Sequence, residues 1–194
     1  MTVQVLRAAD RAATPWLNGG GVTREGAGAP AGAGLADFHW RVSLADVAQG
    51  GPFSVFAGVD RVITVVEGAG MALTVAGTGH LLAQPYRPFA FPGDAETGCR
   101  LLGGPVVDLN VMTRRGRASA EVEVTDAPRE IVVPDGAVVL AVCLAGSAVL
   151  GAAGLTLGRF DAALLEPGGG PEPLRVDGTT AVVTVRTAGV RTAG

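Results

Sequence analysis

Short apolar runs, each bounded by turn residues, extend through the whole 194-residue sequence and limit what it can fold into. Eight runs have strand length and are rich in β-branched or aromatic residues: 3–6, 38–44, 62–67, 71–75, 89–91, 106–112, 121–124 and 181–186. No segment keeps the 3.6-residue period of an amphipathic helix beyond a single turn near residues 44–48. The spacing therefore predicts an all-β sandwich or barrel.

The segment from Gly136 to Gly158 contains no charged residue and is long enough to span a bilayer. Glycines interrupt it at positions 146, 151 and 154, and the pieces between them have strand length. We therefore interpret the segment as buried hairpins, built from 138–144, 148–150 and 155–157, and expect no membrane association.

Charge and composition exclude several functions. The formal net charge is -3, and all fifteen cationic residues are arginine. The absence of lysine excludes Schiff-base chemistry and the lysine of a phosphate-binding loop. The acidic balance argues against nucleic acid as a partner. The start of the sequence has no apolar core of signal-peptide length, so we expect a cytoplasmic protein whose two cysteines are reduced, buried thiols.

Three pairs of segments resemble each other at an offset of about 75 to 78 residues: 61–70 with 137–147, 88–94 with 163–169, and 104–114 with 178–187. Such an offset indicates a duplicated β unit. The first copy carries Asp108 and Asn110 where the second has Val182 and Thr184. Any chemistry is therefore expected in the first copy. The long apolar second copy is consistent with a buried contact, such as that of a homodimer.

Polar residues of the first copy fall on shared strand faces. Alternation places Arg41 and Ser43 on one side of their strand, and Asp108 and Asn110 on one side of another. A half-exposed surface strand would explain each pair equally well. Eight short polar groups or arginines set among glycine and aromatic residues favour a ligand pocket instead: Asn18, Thr23, Arg24, Arg41, Ser43, Arg61, Asp108 and Asn110.

Three consecutive glycines stand in the stretch WLNGGGVTRE, residues 16–25. A phosphate loop is excluded because neither a lysine nor a helical pattern follows. Two interpretations remain open. The glycines form a bulged turn that needs positive φ, or the N–H groups of Gly19–Gly21 line a pocket in which Arg24 offers its guanidinium to a carboxylate.

Metal binding is not expected from the residue types available. Small β-barrels that hold a catalytic metal use two or three histidines with a carboxylate. This sequence has only His39 and His80, and PFSVF follows Gly51 where a metal-binding barrel would carry a His-x-His pair. We therefore predict neither a metal nor another cofactor. Cys99 has no histidine base beside it and is interpreted as a core thiol.

Four motifs in order resemble the HutD/Ves family: W-x-N-G-G-G-x-T-R-E at 16–25, F-x-W-R-V-S at 38–43, G-P-F-S-x-F-x-G-x-x-R at 51–61 and G-P-x-x-D-L-N-x-M at 104–112. The resemblance covers the first 115 residues. It implies a bicupin of two packed barrels, 1–115 with the ligand pocket and 116–187, with strand exchange at their boundary and a flexible tail at 188–194. The stretch 27–36 is Gly/Ala-rich, and we expect a flexible loop there.

The resemblance also implies a link to bacterial histidine utilisation, as a protein that moderates the pathway by binding urocanate or a formylated glutamate derivative. The ligand-binding residues implied by the motifs and the glycine run are Trp16, Asn18, Gly19, Gly20, Thr23, Arg24, Arg41, Ser43, Arg61, Asp108 and Asn110.

We therefore hypothesise a metal-free sensor whose first barrel binds a planar carboxylate. Arg24, Arg41 and Arg61 are the candidates for the anion, and Asp108 is expected to orient one guanidinium, pairing with Arg41 in the empty site. Asn110 would meet the polar end of the ligand, and Trp16 would cover its flat face.

Two alternatives come from other classes. A cofactor-independent isomerase, lyase or hydrolase would use Asp108 or Glu25 as its base. A scaffold or oligomerisation module would instead present the arginine-lined face flat to solvent.

Overall fold

The computed structural model describes residues 2–16, 19–152 and 154–188. Within those residues the chain forms strands joined by turns, with one short 3-10 helix at Ala8–Asp10. The strands are β1 (Val3–Leu6), β2 (Ala13–Pro15), β3 (Gly21–Ala29), β4 (Trp40–Val47), β5 (Gly51–Pro52), β6 (Val59–Glu67), β7 (Met71–Val75), β8 (Thr78–Leu82), β9 (Phe89–Pro92), β10 (Thr97–Leu101), β11 (Val106–Arg114), β12 (Ala118–Thr125), β13 (Arg129–Ile131), β14 (Ala137–Leu150), β15 (Leu155–Leu157), β16 (Ala162–Leu165) and β17 (Glu172–Thr187). The predicted all-β class is confirmed.

The chain divides into two compact units. The first unit is Ala9–Arg115, and the second unit contains the residues up to Ala8 and those from Gly116 onward. Residues 1–8 were predicted to belong to the first barrel, but β1 pairs antiparallel with β16 in the second unit. A short apolar strand carries no local signal for its partner, so sequence position alone assigned it to the nearer barrel.

Asp161 holds the end of this N-terminal strand within the second unit. Its carboxylate accepts hydrogen bonds from the Ala8 N–H at 2.8 Å, from Arg7 Nη1 at 2.7 Å and from the Gly158 N–H at 3.1 Å. Burial acts to raise the pKa of Asp161, but these donors outweigh it and lower the pKa below its ordinary value. The carboxylate is therefore ionised when it fastens the strand.

The first unit contains two antiparallel sheets. Six strands follow the order β2-β3-β4-β11-β6-β9, and four follow the order β5-β10-β7-β8. Ile63 and Val65 from the larger sheet share one buried cluster with Met71 and Leu73 from the smaller one. The faces that carry these residues therefore enclose the interior of the first unit.

The second unit contains one seven-stranded sheet. Its main path is β1-β16-β14-β17-β12, with β13 added beside β17 and β15 beside β14. Its segment β12-β17-β14-β16 has the same order as β4-β11-β6-β9 in the first unit. The three segment pairs of the internal repeat overlap the matching strands β6 and β14, β9 and β16, β11 and β17. A duplicated β unit accounts for this correspondence.

The uncharged segment 136–158 differs in detail from the predicted hairpins. Residues 137–150 form the single strand β14, because the chain bulges instead of reversing near Gly146. Gly146 has φ 70° and lies opposite Gly178, which has φ 131°. Only the pairing of β14 with β15 is the expected hairpin. Among the described residues, none of the helices is long and apolar enough to cross a membrane.

Replacing Gly178 with alanine should destabilise the protein. A Cβ at this position would lie 2.2 Å from the Ala145 carbonyl oxygen, and an L side chain rarely adopts φ 131°. We expect a loss of about 1–3 kcal/mol in the free energy of unfolding, measured by urea denaturation. Alanine at Gly136, where a Cβ would meet nothing within 4 Å, is the comparison for positive φ alone. Equal losses of unfolding free energy in both variants would show that the close approach of residue 178 to the Ala145 carbonyl does not contribute.

Three other local predictions need correction or fall outside the described chain. Residues 27–29 of the predicted flexible loop belong to β3 and pair with β4. The single helical turn expected near 44–48 is absent because β4 continues to Val47. The predicted tail 188–194 lies outside the described residues except for Ala188, whose N–H donates to the Arg117 carbonyl.

Candidate functional site

The inner face of the six-stranded sheet carries a group of polar residues. Strand register sets Asn110 of β11 opposite Ser43 of β4, and Asp108 opposite Val65 of β6. Arg61 of β6 lies opposite Met112, so it is on the same face as Asp108 and Asn110. Because Val65 belongs to the core between the sheets, this face looks into the interior of the first unit.

Arg61 is the centre of this group. Its side chain is buried, with only 7% of the residue exposed, and it lies among three phenylalanine rings. The guanidinium carbon is 5.0 Å from the ring centroid of Phe53, 5.2 Å from that of Phe91 and 5.9 Å from that of Phe56. Ring faces attract a cation at these distances. The aromatic residues therefore hold a positive charge where little water reaches it.

The hydrogen-bonding capacity of Arg61 is mostly unused by the described residues. Nη2 donates to Asn110 Oδ1 over a long 3.4 Å, and Nε is buried without a hydrogen-bond partner there. A guanidinium has five donors arranged as a planar fork that matches a carboxylate. Burial lowers the pKa of Arg61 to about 10, although nearby Asp108 acts to raise it. Arg61 is thus a charged donor suited to an anion.

Asp108 is the acidic member of the group. The residue is 2% exposed, and its Oδ1 accepts no hydrogen bond within the described part of the chain. Burial raises the pKa of Asp108 to about 7, against the lowering effect of Arg61. From β10, Cys99 faces the same interior, and its pKa rises to about 11 through burial and the charge of Asp108.

Trp16 and Thr23 are joined beside this interior. Trp16 Nε1 donates to Thr23 Oγ1 at 2.8 Å, and the half-buried indole packs against the core cluster between the sheets. A Cβ on Gly21 would lie 2.5 Å from the Asp46 carbonyl oxygen and 3.0 Å from the Trp16 ring. The third glycine of the run is therefore needed for close packing of the indole against β3.

Arg41 pairs with Glu25, contrary to the predicted pair with Asp108. Its Nη2 donates to Glu25 Oε2 at 2.8 Å, since Gly28 of β3 lies opposite Arg41 and Glu25 lies opposite Ser43. The charge that acts on Asp108 is that of Arg61. Arg41 is thus on the predicted face, but its charge is already balanced.

Arg24 lies on the opposite face of the sheet from Arg61 and Asp108. Its register partner is Leu44, whose neighbour Ser43 is the residue on the inner face. Arg24 forms an ion pair with Asp46, and 42% of its side chain is exposed. The prediction that Arg24 offers its guanidinium to the pocket is wrong because consecutive strand residues face opposite sides.

The glycine run forms a turn at the residues that the structure describes. Gly19 has φ 68°, and its N–H donates to the Trp16 carbonyl oxygen at 3.0 Å. The Gly20 carbonyl accepts from Ala48 and Gln49. The N–H of Gly19 is thus used within the turn, which favours the turn interpretation over a ligand-binding loop. Asn18 lies outside the described residues.

The three phenylalanines around Arg61 were not among the predicted site residues. Phe53 and Phe56 stand in the same motif as Arg61, at residues 51–61, and this shared motif was the available signal. Phe91 reaches Arg61 because β9 pairs with β6 in a register that sets the two residues opposite each other.

Two other features of the described chain do not add to the site. Its His, Cys, Asp and Glu side chains form no group of three that could hold a metal ion. A shallow depression of about 560 Å³ lies on the outer face of the four-stranded sheet. Its outward-facing lining consists of Ala72, Thr74, Gly79, Leu81, Gly98 and Arg100. It lacks the buried charges found in the interior.

The architecture is that of a cupin-fold protein. A cupin 2 conserved barrel domain protein from Leptotrichia buccalis superposes with a TM-score of 0.57 at 8% identity, covering 87% of this chain and 89% of that one. At such identity the likeness shows the fold alone.

The family follows from sequence. The sequence model of HutD matches residues 8–184, so the chain belongs to the HutD family. The solved structure of HutD from Pseudomonas fluorescens SBW25 (formate condition) superposes on this chain with a TM-score of 0.86 and is 36% identical to it. The match covers 97% of this chain and 100% of that one. An uncharacterised 21.2 kDa protein in the hutC 3' region of Pseudomonas putida is 43% identical over 121 residues. That match covers 62% of this chain and 63% of the relative, less than two thirds of its length.

Proposed function

We propose that the first unit binds a small carboxylate and that Arg61 is its anchor. The observation that carries the proposal is that Arg61 is only 7% exposed, that three phenylalanine rings surround its guanidinium, and that its buried Nε has no hydrogen-bond partner among the described residues. Burying such a group is costly unless a partner compensates it. A carboxylate would provide two acceptors in the geometry of the guanidinium fork.

The rest of the inner face suits a planar ligand. Asn110 lies within reach of the guanidinium and offers both a donor and an acceptor to a second polar atom. Phe53 and Phe91 provide flat apolar surface at the same place. The inner face therefore offers polar groups and flat apolar surface side by side.

We further propose that this carboxylate belongs to histidine utilisation and that the protein acts there as a metal-free cytoplasmic moderator. The support is family membership and the hutC-region name of the Pseudomonas putida relative. Urocanate and N-formylglutamate are the candidate ligands. Both offer a carboxylate for Arg61 and a polar nitrogen group for Asn110 or Asp108.

Calorimetric titration tests the proposal directly. The protein is titrated with urocanate and with N-formylglutamate at pH 6.5, and we expect saturable heat for at least one of them. Histidine, which carries an ammonium beside its carboxylate, is the matched comparison and should bind more weakly because a second cation would lie beside Arg61. Absence of heat with both candidates would refute histidine utilisation as the source of the ligand.

A second candidate function is a cofactor-independent reaction on the same carboxylate, with Asp108 as general base. The pKa of Asp108, raised to about 7 by burial, is suited to proton transfer near neutral pH. The other candidate base, Glu25, is paired with Arg41 and half exposed. Incubation of each ligand with the protein in deuterated water, followed by proton NMR, separates binding from turnover. Exchange of a carbon-bound proton or a new product would favour the enzyme.

A further inference from the structure

The interior of the first unit contains one cation and one acid close together, without a hydrogen bond between them. Arg61 and Asp108 affect each other's charge, and both are nearly inaccessible to solvent. Asp108 Oδ1 and Arg61 Nε each lack a hydrogen-bond partner within the described residues. A carboxyl oxygen that is buried and unbonded in an apolar site shifts the acid toward its protonated form, so both forms are accessible near neutral pH.

Among the described residues around this interior, the other arginine is already paired, and the remaining ionisable groups are a thiol, an imidazole and a carboxyl group. From β4, Arg41 is already paired with Glu25 of β3. Cys99 faces Asp108 from β10, and burial keeps its thiol protonated by raising its pKa to about 11. The ring of His80 in β8 packs on that of Phe89 in β9, with 4.7 Å between the ring centroids. Glu67, at the end of β6, adds a half-buried carboxyl group of its own.

A carboxylate that binds to Arg61 would bring a second negative charge beside Asp108. Two carboxylates that share one site cannot both remain ionised when a single cation balances them. We infer that Asp108 takes up one proton from solvent as a carboxylate binds to Arg61, and that it thereby becomes a hydrogen-bond donor to the ligand. This inference rests on the proposed function and adds to it the residue that links ligand affinity to pH.

The protonated acid also gives Asp108 a role in specificity. The new O–H can donate to an oxygen of the ligand, while Arg61 donates from the guanidinium side. Arg61 neutralises one negative charge, so the proposed site is matched to a carboxylate plus one proton.

Titration with formate from pH 6 to pH 9 tests the inference. Formate stays fully ionised throughout this range, so any pH dependence belongs to the protein. We expect the Kd, followed through tryptophan fluorescence, to be constant below about pH 7 and to rise toward tenfold per pH unit above it. The sign follows because a proton must be gained on binding once free Asp108 is ionised. The Asp108→Asn variant should bind formate with a Kd that does not vary with pH.

Two control variants address the other groups near Asp108. His80→Gln and Cys99→Ser should each keep the pH dependence, since neither group is the one that gains the proton. If Asp108→Asn does not fold, the proton is counted directly in wild-type protein. Saturating formate, adjusted to the same pH, is added to unbuffered protein at pH 8, and we expect the pH to rise by the equivalent of nearly one proton per chain.

The outcomes separate this inference from the proposed function. Formate binding with a Kd that is flat with pH, or without proton uptake, overturns the role of Asp108 and leaves carboxylate binding intact. A pH dependence that persists in Asp108→Asn or disappears in His80→Gln also overturns it. Failure to bind formate, urocanate and N-formylglutamate at pH 6 contradicts the carboxylate site itself.

Discussion

Replacing Arg61 with methionine should weaken carboxylate binding by about 30-fold to several thousand-fold. Removal of one partner from a buried, hydrogen-bonded charge pair costs about 2–5 kcal/mol of binding free energy, which corresponds to that range. Methionine keeps an unbranched chain among the phenylalanine rings, so the fold should be retained. The measurement is calorimetric titration with whichever of urocanate and N-formylglutamate binds the wild-type protein.

The same substitution at Arg24 is the matched control. Arg24 lies on the other face of the sheet and pairs with Asp46, so Arg24→Met should change the Kd less than threefold. Arg61→Lys separates charge from shape, because lysine keeps the cation but loses the planar fork. We expect intermediate affinity for it. Wild-type affinity in Arg61→Met, or an equal loss in Arg24→Met, would refute the assignment of the anchor.

Much of the inner face could be predicted from the sequence, because strand alternation is a local property. The pairs Arg41 with Ser43 and Asp108 with Asn110 each share a face in the structure, as their spacing of two requires. The same rule could have corrected the predicted site. Thr23 and Arg24 are consecutive in one strand, so both cannot line one pocket, yet both were included.

Which arginine is buried could not be predicted from local pattern. Arg24, Arg41 and Arg61 are the same residue type, and each lies in a strand. Their environments differ because of the strands with which their own strands pair. Arg61 meets Phe91 only because β6 pairs with β9. Arg41 meets Glu25 only because β4 pairs with β3. Register between strands that are distant in sequence depends on the whole sheet, and no single motif encodes it.

Local sequence pattern also could not predict where the longest strands end. Gly146 lies in a β-branched segment and was interpreted as the turn of a hairpin. It lies instead within β14, just after a register shift between Cys143 and Ala145, and opposite a second glycine, Gly178. Glycine is required in both cases for positive φ, so the residue type does not distinguish a turn from a bulge. The partner strand decides between them.

Replacing Asp108 with asparagine should stabilise the protein progressively as the pH rises. In the folded state the pKa of Asp108 is raised to about 7 by burial, from an ordinary value of 3.8. Folding therefore favours the protonated acid, and the stability that this group contributes is lost as the pH rises toward the folded pKa. Between pH 5 and pH 8.5, the variant should gain about 3 kcal/mol of unfolding free energy relative to wild type.

Urea denaturation of both proteins across this pH range measures the difference, in which the titrations common to both chains cancel. Glu25→Gln is the control, since Glu25 is half exposed and paired with Arg41, and its difference from wild type should vary little with pH. Parallel stability curves for wild type and Asp108→Asn would mean that Asp108 ionises as an ordinary carboxylate when the protein is folded. In that case free Asp108 would already be ionised at pH 5, and any proton that it gains with a ligand would have to be taken up below pH 7 as well as above it.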